Sequence, residues 1–329
     1  MIRRRLHRPV NEHGHLGPRI TVLSVGLALI LAACGGRDGT SADRSGAARD
    51  ATTTASGACP NGGTPERNVP YASVPGVDPN LLSLDIYPPE TGCPAPVVVW
   101  VHGGGFRIGD KRFQMVDKVR LLNDLRYMVV SVNYRLTDAT AAEPVRYPTD
   151  AQDVASAIAW IDRNIARYGG DPDQIALMGH SAGAQIVATV ATDPQLLGAH
   201  GLAPDDLACV APLDTEGFDV ARQVGLGLPI YVDTFGTDPA TLTAASPLTH
   251  VKAGAGIPPH LLVKRGSIGR QRLVDQYSAA LTAAGIPVTV VDARGLTHED
   301  VNVRIGAVGD TVMTPAVTTF LADCFARGT

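Results

Sequence analysis

The residues most able to do chemistry lie in two short glycine-rich runs. Gly179-His180-Ser181-Ala182-Gly183 follows the apolar run 175–178 (IALM) and precedes the helical stretch AQIVATVA. A serine flanked by glycines at a strand-to-helix turn sits on a strained backbone with its hydroxyl exposed. Neighbours carrying a Cβ would clash with the strand and the helix. The helix N-terminus behind Ser181 favours developing negative charge. The second run, His102-Gly103-Gly104-Gly105, follows 97–101 (VVVWV). Glycine amides there can point at an oxyanion without a side chain blocking the approach. The expected hole uses the amides of Gly103, Gly104 and Ala182. A dinucleotide-binding loop is the rival reading, but Gly103, Gly105 and Gly109 do not give G-x-G-x-x-G. An exposed serine with nearby oxyanion donors points to acyl transfer through a covalent intermediate.

The elements that must position these runs are legible as short apolar segments. Residues 97–101, 128–132 (MVVSV), 175–178, 208–211 (ACVA), 260–263 (HLLV) and 288–291 (VTVV) read as strands buried on both faces. Residues 82–87 (LSLDIY) alternate, as a half-buried edge strand does. Between them fall helices. In residues 150–167, Val154, Ile158, Ile161 and Ile165 share one face. Thr149 and Gln152 are spaced for a capping box at its start, and Gly169-Gly170 ends it. Residues 271–284 and 315–326 are the next clear helices. Alternating strands and helices predict an α/β fold, a mostly parallel central sheet with helices on both faces. Residues 226–249, rich in Gly, Pro and Thr, are expected to cap Ser181 and control acyl size. No internal repeat is evident.

The chain has 329 residues, five cysteines and a formal net charge of −4. With 45% hydrophobic and 18% charged residues it has the makings of a packed domain rather than a disordered chain. Net acidity with few aromatics argues against a nucleic-acid partner. The N-terminal 19 residues carry five arginines, and residues 20–33 (ITVLSVGLALILAA) form a 14-residue apolar run, too short to span a bilayer. A basic flank, a short apolar core and a small-residue end read as a signal peptide over 1–33. Leu31-Ala32-Ala33-Cys34 resembles a bacterial lipobox, which implies Cys34 as a lipid anchor and the mature N-terminus. Residues 34–66 are expected to be a flexible tether and 67–329 the folded domain. Loss of residues 1–33 leaves 23 basic against 31 acidic side chains, a net −8. The expected location is the extracytoplasmic face of the cell membrane, held through the lipidated N-terminus. Four cysteines then remain, an even number that suggests two disulfides. Of three connectivities, Cys59–Cys93 with Cys209–Cys324 is preferred. No CxxC or HExxH spacing occurs, so no metal is expected, and the chemistry calls for no organic cofactor.

HGGGF upstream of GHSAG, with the intervening YPTDAQDVASAIAWIDRNIARYGGDPDQIALMGHSAGA, resembles the hormone-sensitive-lipase-like and related carboxylesterase branch of the α/β-hydrolases. The resemblance covers residues 83–320. It implies an eight-stranded, mostly parallel sheet and hydrolysis of small-molecule esters by a Ser–His–acid triad. The chain order in this fold is Ser, acid, His, with the base in the loop after the last strand. That order selects His298 among the six histidines after residue 33. The acid is where the pattern breaks. The resemblance expects a carboxylate just after 260–263, but the residues there are Lys264-Arg265-Gly266-Ser267-Ile268-Gly269-Arg270, and the next, Asp275, should lie inside a helix. Asp214, one strand earlier, is the first candidate, with Glu216, Asp219 and Asp292 as rivals. Arg265 and Arg270 could instead recognise an anionic ligand. Two other readings stand beside ester hydrolysis. The stretch 102–111 also resembles arylformamidase-like amide hydrolases and carbohydrate esterases. The missing acid favours a non-catalytic, ligand-binding lipoprotein with a degenerate triad.

Overall fold

A computed structural model describes residues 57–141 and 144–327. The expected signal peptide, Cys34 and most of the expected tether lie outside the described residues. Eight strands form one sheet: β1 (Glu66–Pro70), β2 (Ser83–Tyr87), β3 (Ala95–Val101), β4 (Met128–Val132), β5 (Gly170–His180), β6 (Cys209–Leu213), β7 (His260–Lys264) and β8 (Val288–Asp292). Their order is β1-β2-β4-β3-β5-β6-β7-β8. Only β2 runs against the rest, being antiparallel to both β1 and β4. The other five strand pairings are all parallel. The sheet is thus mostly parallel, as the alternation of strands and helices predicts.

Eleven α-helices connect and cover the strands among the described residues. They are α1 (Val116–Asp124), α2 (Thr149–Asn164), α3 (Ala182–Thr192), α4 (Pro194–Gly198), α5 (Val220–Gly225), α6 (Pro229–Phe235), α7 (Pro239–Ala244), α8 (Pro247–His250), α9 (Ile268–Ala283), α10 (His298–Val303) and α11 (Met313–Phe325). The continuous apolar run of β3 serves both faces, because successive side chains alternate. Val97, Val99 and Val101 pack with Val154, Ile158 and Ile161 of α2 and Ile186 and Val190 of α3. Val98 and Trp100 pack with Leu122 of α1 and Val317 and Leu321 of α11. Burial on both sides fixes the sheet's register, and with it the loops at the C-terminal ends of the strands.

Five expectations need correction. β2 is not a half-buried edge strand: β1 pairs along its outer side, so β2 lies between β1 and β4 and is buried throughout. β8 is not buried on both faces: it is the far edge of the sheet, and of its residues only Val291 is buried. The tether does not extend to residue 66: Ala58 bridges Thr91, and buried Cys59 is joined to Cys93, so the folded chain starts by residue 58. Thr149 does not cap α2. The helix already accepts Gln152 N–H at the Pro148 carbonyl, so Thr149 lies in its first turn and no side chain caps it. The helical stretch from residue 150 changes to a 3-10 turn at Ile165–Tyr168 before Gly169 ends it in the left-handed region. Both expected disulfides are present, Cys59–Cys93 and Cys209–Cys324.

Candidate active site

β5 delivers Ser181 at its C-terminal end, and α3 starts with the next residue. Ser181 holds φ +59° and ψ −116°, a backbone state that a side chain rarely adopts. The surrounding packing enforces it. A Cβ on Gly183 would lie 2.2 Å from the Val101 carbonyl oxygen, and one on Gly179 would lie 2.5 Å from that of Gly183. Ser181 N–H donates to the Leu213 carbonyl at 3.1 Å, tying the turn to the end of β6.

β8 leads into the loop that carries His298 at the first position of α10. Thr297 caps that helix, its hydroxyl accepting from Asp300 N–H while Asp300 accepts from Thr297 N–H. This box fixes the backbone just before the imidazole. His298 Nε2 lies 2.8 Å from Ser181 Oγ, and Nδ1 lies 2.5 Å from Asp214 Oδ2. Asp214 follows β6 directly and is buried, with φ +62°. The structure therefore brings Ser181, His298 and Asp214 into one hydrogen-bonded line. The contact with Asp214 removes the one sequence feature that favoured a non-catalytic chain.

The rival carboxylates sit elsewhere. Glu216 pairs with Arg270, Asp219 caps α5, and exposed Asp292 pairs with Arg294. Arg265 and Arg270 are not free for an external anion. Arg265 Nε donates to Asp214 Oδ2, and Arg270 donates to Asp214 Oδ1 at 2.7 Å. Burial opposes ionisation of Asp214, but the hydrogen bond from His298 and the two guanidiniums outweigh it. Together they hold the carboxyl well below the usual carboxylate range.

One site residue has a part that sequence reasoning did not assign. His180, the last residue of β5 just before Ser181, packs at a tilt against His298 with ring centroids 4.5 Å apart. Its Nε2 lies 2.9 Å from the His298 carbonyl oxygen. Burial and the neighbouring His298 push its pKa down to about 4, so at neutral pH it is an uncharged imidazole whose Nε2–H donates to that carbonyl. The pentapeptide marks that position as variable, and no spacing signal reveals the contact.

The loop after β3 forms the facing wall. Buried Tyr134 donates to the His102 carbonyl at 3.0 Å and stacks on the His102 ring. Ile108 N–H donates to the Gly104 carbonyl at 3.1 Å, closing the loop on itself. Gly103 and Gly104 line a cleft of about 540 Å³ with Ser181 and His298. A smaller pocket of about 180 Å³ adjoins it, with Ala182, Thr215 and Glu216 in its wall. The expected cap, residues 226–249, holds α6, α7 and most of α8, and α5 precedes it in the same connection between β6 and β7. Ile230 of α6 reaches both cavities, and Phe235 packs edge-on against Phe106 at 5.3 Å.

Similarity to known proteins agrees with this architecture. The sequence profile of the carboxylesterase family matches residues 44–200. Esterase LipQ of Mycobacterium tuberculosis is 31% identical over 234 residues, 66% of this chain and 53% of that protein. The para-nitrobenzyl esterase of Bacillus subtilis is 30% identical over 135 residues, 39% of this chain and 28% of that protein. The chain thus spans about half the length of the first relative and less of the second. A truncated carbohydrate esterase from gut microbiota superposes with a TM-score of 0.65 at 19% identity, covering 80% of this chain and 96% of that one. An esterase of the archaeon Pyrobaculum calidifontis gives 0.59 at 23% identity, covering 74% and 81%. This is the α/β-hydrolase fold. Within it, β5 presents the serine, β6 the aspartate and β8 the histidine, while β7, where the resemblance expects the acid, ends in Lys264 and is followed by Arg265.

Proposed function

We propose that the protein hydrolyses carboxylic esters of small molecules through an acyl-enzyme on Ser181. The observation that carries this reading is the unbroken line Ser181–His298–Asp214 opening onto the cleft beside Gly103 and Gly104. Ser181 Oγ attacks the ester carbonyl while His298 Nε2 takes its proton. Asp214 fixes the tautomer that leaves Nε2 free as the acceptor, and its charge stabilises the imidazolium that forms. The carbonyl oxygen becomes an oxyanion held by the amides of Gly103, Gly104 and Ala182. His298 then protonates the leaving alcohol as its C–O bond breaks. Water attacks the acyl-serine with His298 taking its proton, and collapse of that second oxyanion releases the acid and restores the serine hydroxyl. Within esterases, the HGGGF and GHSAG runs support the hormone-sensitive-lipase-like branch.

The test is direct. The purified protein should be labelled stoichiometrically by a fluorophosphonate and turn over short p-nitrophenyl esters, and Ser181→Ala should abolish both. Neither labelling nor turnover by the unmutated protein would sink the reading.

We further infer that the protein is exported and anchored to the outer face of the cell membrane through a diacylated Cys34. The basic flank, the 14-residue apolar run and Leu31-Ala32-Ala33-Cys34 support it. Two disulfides in one domain suit an oxidising compartment. Cys34→Ser should move the protein from the membrane to the soluble fraction, and continued retention would count against the anchor.

A further inference from the structure

The strand end that lacks the expected acid is not idle. Arg265 lies immediately after β7, and Arg270 lies in the first turn of α9. Both reach back across one strand to Asp214. Arg265 Nε donates to Oδ2, the oxygen that also faces His298, and Arg270 Nη2 donates to Oδ1 at 2.7 Å. The far side of Arg270 is held by Glu216, whose Oε1 lies 2.9 Å from Nη1. Side-chain exposure is 3% for Asp214, 11% for Arg265 and 19% for Arg270, so water screens these contacts little. Gly266 makes the room. A Cβ there would come within 2.8 Å of Arg270 Cδ.

Every hydrogen bond that Asp214's carboxylate accepts among the described residues comes from these three side chains, and none from a backbone amide. Its direction is thus set by the β7–α9 corner rather than by its own loop. We propose that Arg265 and Arg270 are positioning residues of the triad, a two-armed clamp that holds the Asp214 carboxylate at His298. The proposal rests on the ester-hydrolase reading for its kinetics, but not for its geometry. Planar guanidiniums suit the task because each presents donors in a fixed fork, which orients a carboxylate rather than merely neutralising it. An aspartate placed one strand away from the usual corner gains through the clamp the rigidity that catalysis needs.

The test uses Arg265→Met, Arg270→Met and Arg270→Lys in the full chain, read by kinetics and by proton NMR of the His298 Nδ1–H. A proton shared in a short His–Asp contact resonates far downfield, and it reports the contact whether or not the protein turns over ester. The unmutated protein should show this resonance. Each Met variant should lose it, with kcat per fluorophosphonate-labelled site down about 10- to 100-fold and KM nearly unchanged. Arg270→Lys should restore part of both. Asp275→Asn, which breaks only the Lys264–Asp275 pair on the same corner, should alter neither. Met variants that keep the resonance and kcat, and lose only melting temperature, would overturn the clamp. If Arg270→Met fails to fold, Glu216→Gln frees only the far anchor of Arg270, and an unchanged kcat and resonance there would overturn it equally. A protein with the resonance, lost in the Met variants, but with no labelling would sink the hydrolase reading and leave the clamp standing.

Discussion

Gly103→Ala adds one methyl group at the wall facing the nucleophile, and its effect can be worked from the packing. The new Cβ would lie 3.0 Å from the His180 carbonyl oxygen, 3.1 Å from Ser181 Cβ and 3.3 Å from His180 Nδ1. Comfortable heavy-atom contacts lie near ~3.5 Å or beyond, so the segment must retreat by roughly half an ångström. The neighbours cannot yield. His180 ends the central strand β5, Ser181 is locked in its turn, and the His180 ring is tied to the His298 carbonyl. The loop therefore moves, and the Gly103 amide moves away from the oxyanion. Losing one such donor outright costs about 10²–10³ in kcat. A partial retreat places the expected fall near 30- to 100-fold, or about 2–3 kcal/mol. KM should barely change, because the hole holds charge that exists only in the transition state. The assay is steady-state hydrolysis of p-nitrophenyl acetate, with sites counted by fluorophosphonate titration. Gly104→Ala is the contrast. Its φ of +111° and a Cβ only 1.8 Å from the Ile108 carbonyl oxygen leave the loop no way to persist, so activity should fall to background. A Gly103→Ala protein that keeps kcat within about threefold of the original would refute the assignment of that amide.

Two further outcomes follow from buried contacts. Asp214→Asn should lower kcat by about 10⁴-fold and, by stranding two arginines, cost about 3 kcal/mol or more of stability. Because the folded state holds Asp214 ionised well below its unfolded range, that stability is present in full above the ordinary carboxylate range and is lost progressively as pH falls from there down through the lowered folded-state value. The gap between original and variant in urea denaturation should therefore shrink on acidification, and a gap independent of pH would contradict the ion cluster. Cys209–Cys324 spans 115 residues and Cys59–Cys93 spans 34. Chain entropy gives about 4.8 and 3.8 kcal/mol respectively, so the paired alanine variants should rank in that order by urea denaturation, and the reverse order would refute the loop argument.

Much of the fold is legible because burial on both faces writes itself as short apolar runs. Seven of the eight strands are marked as strands that way or by alternation. Yet the alternation of β2 suggested an edge where the strand is interior and buried, and the apolar run of β8 suggested two-sided burial where the strand is a largely exposed edge. β1, with the sequence ERNVP, does not, because an edge strand that keeps a polar face carries no apolar signature. The helices α5 to α8 between β6 and β7 are four to seven residues long, too short for a 3.6-residue period to register. Within the site, Ser181 and the glycines are legible because their turn demands particular residue types. His298 is legible by chain order. Asp214 ranks first only by adjacency to a strand end, since a carboxylate after one strand looks like a carboxylate after the next. The roles of Arg265, Arg270 and His180 depend on contacts across strands, which local sequence does not encode.

The acid's position also bears on how similar chains are judged active or lapsed. A rule requiring a carboxylate immediately after the seventh strand would discard this chain, and any like it, as a dead enzyme. The order Ser, Asp, His survives unchanged, and only the strand that presents the aspartate differs. A search for a basic pair after the seventh strand, coupled to an aspartate directly after the sixth, would recover such chains. It would also separate them from those that have lost both, which are the better candidates for true loss of activity.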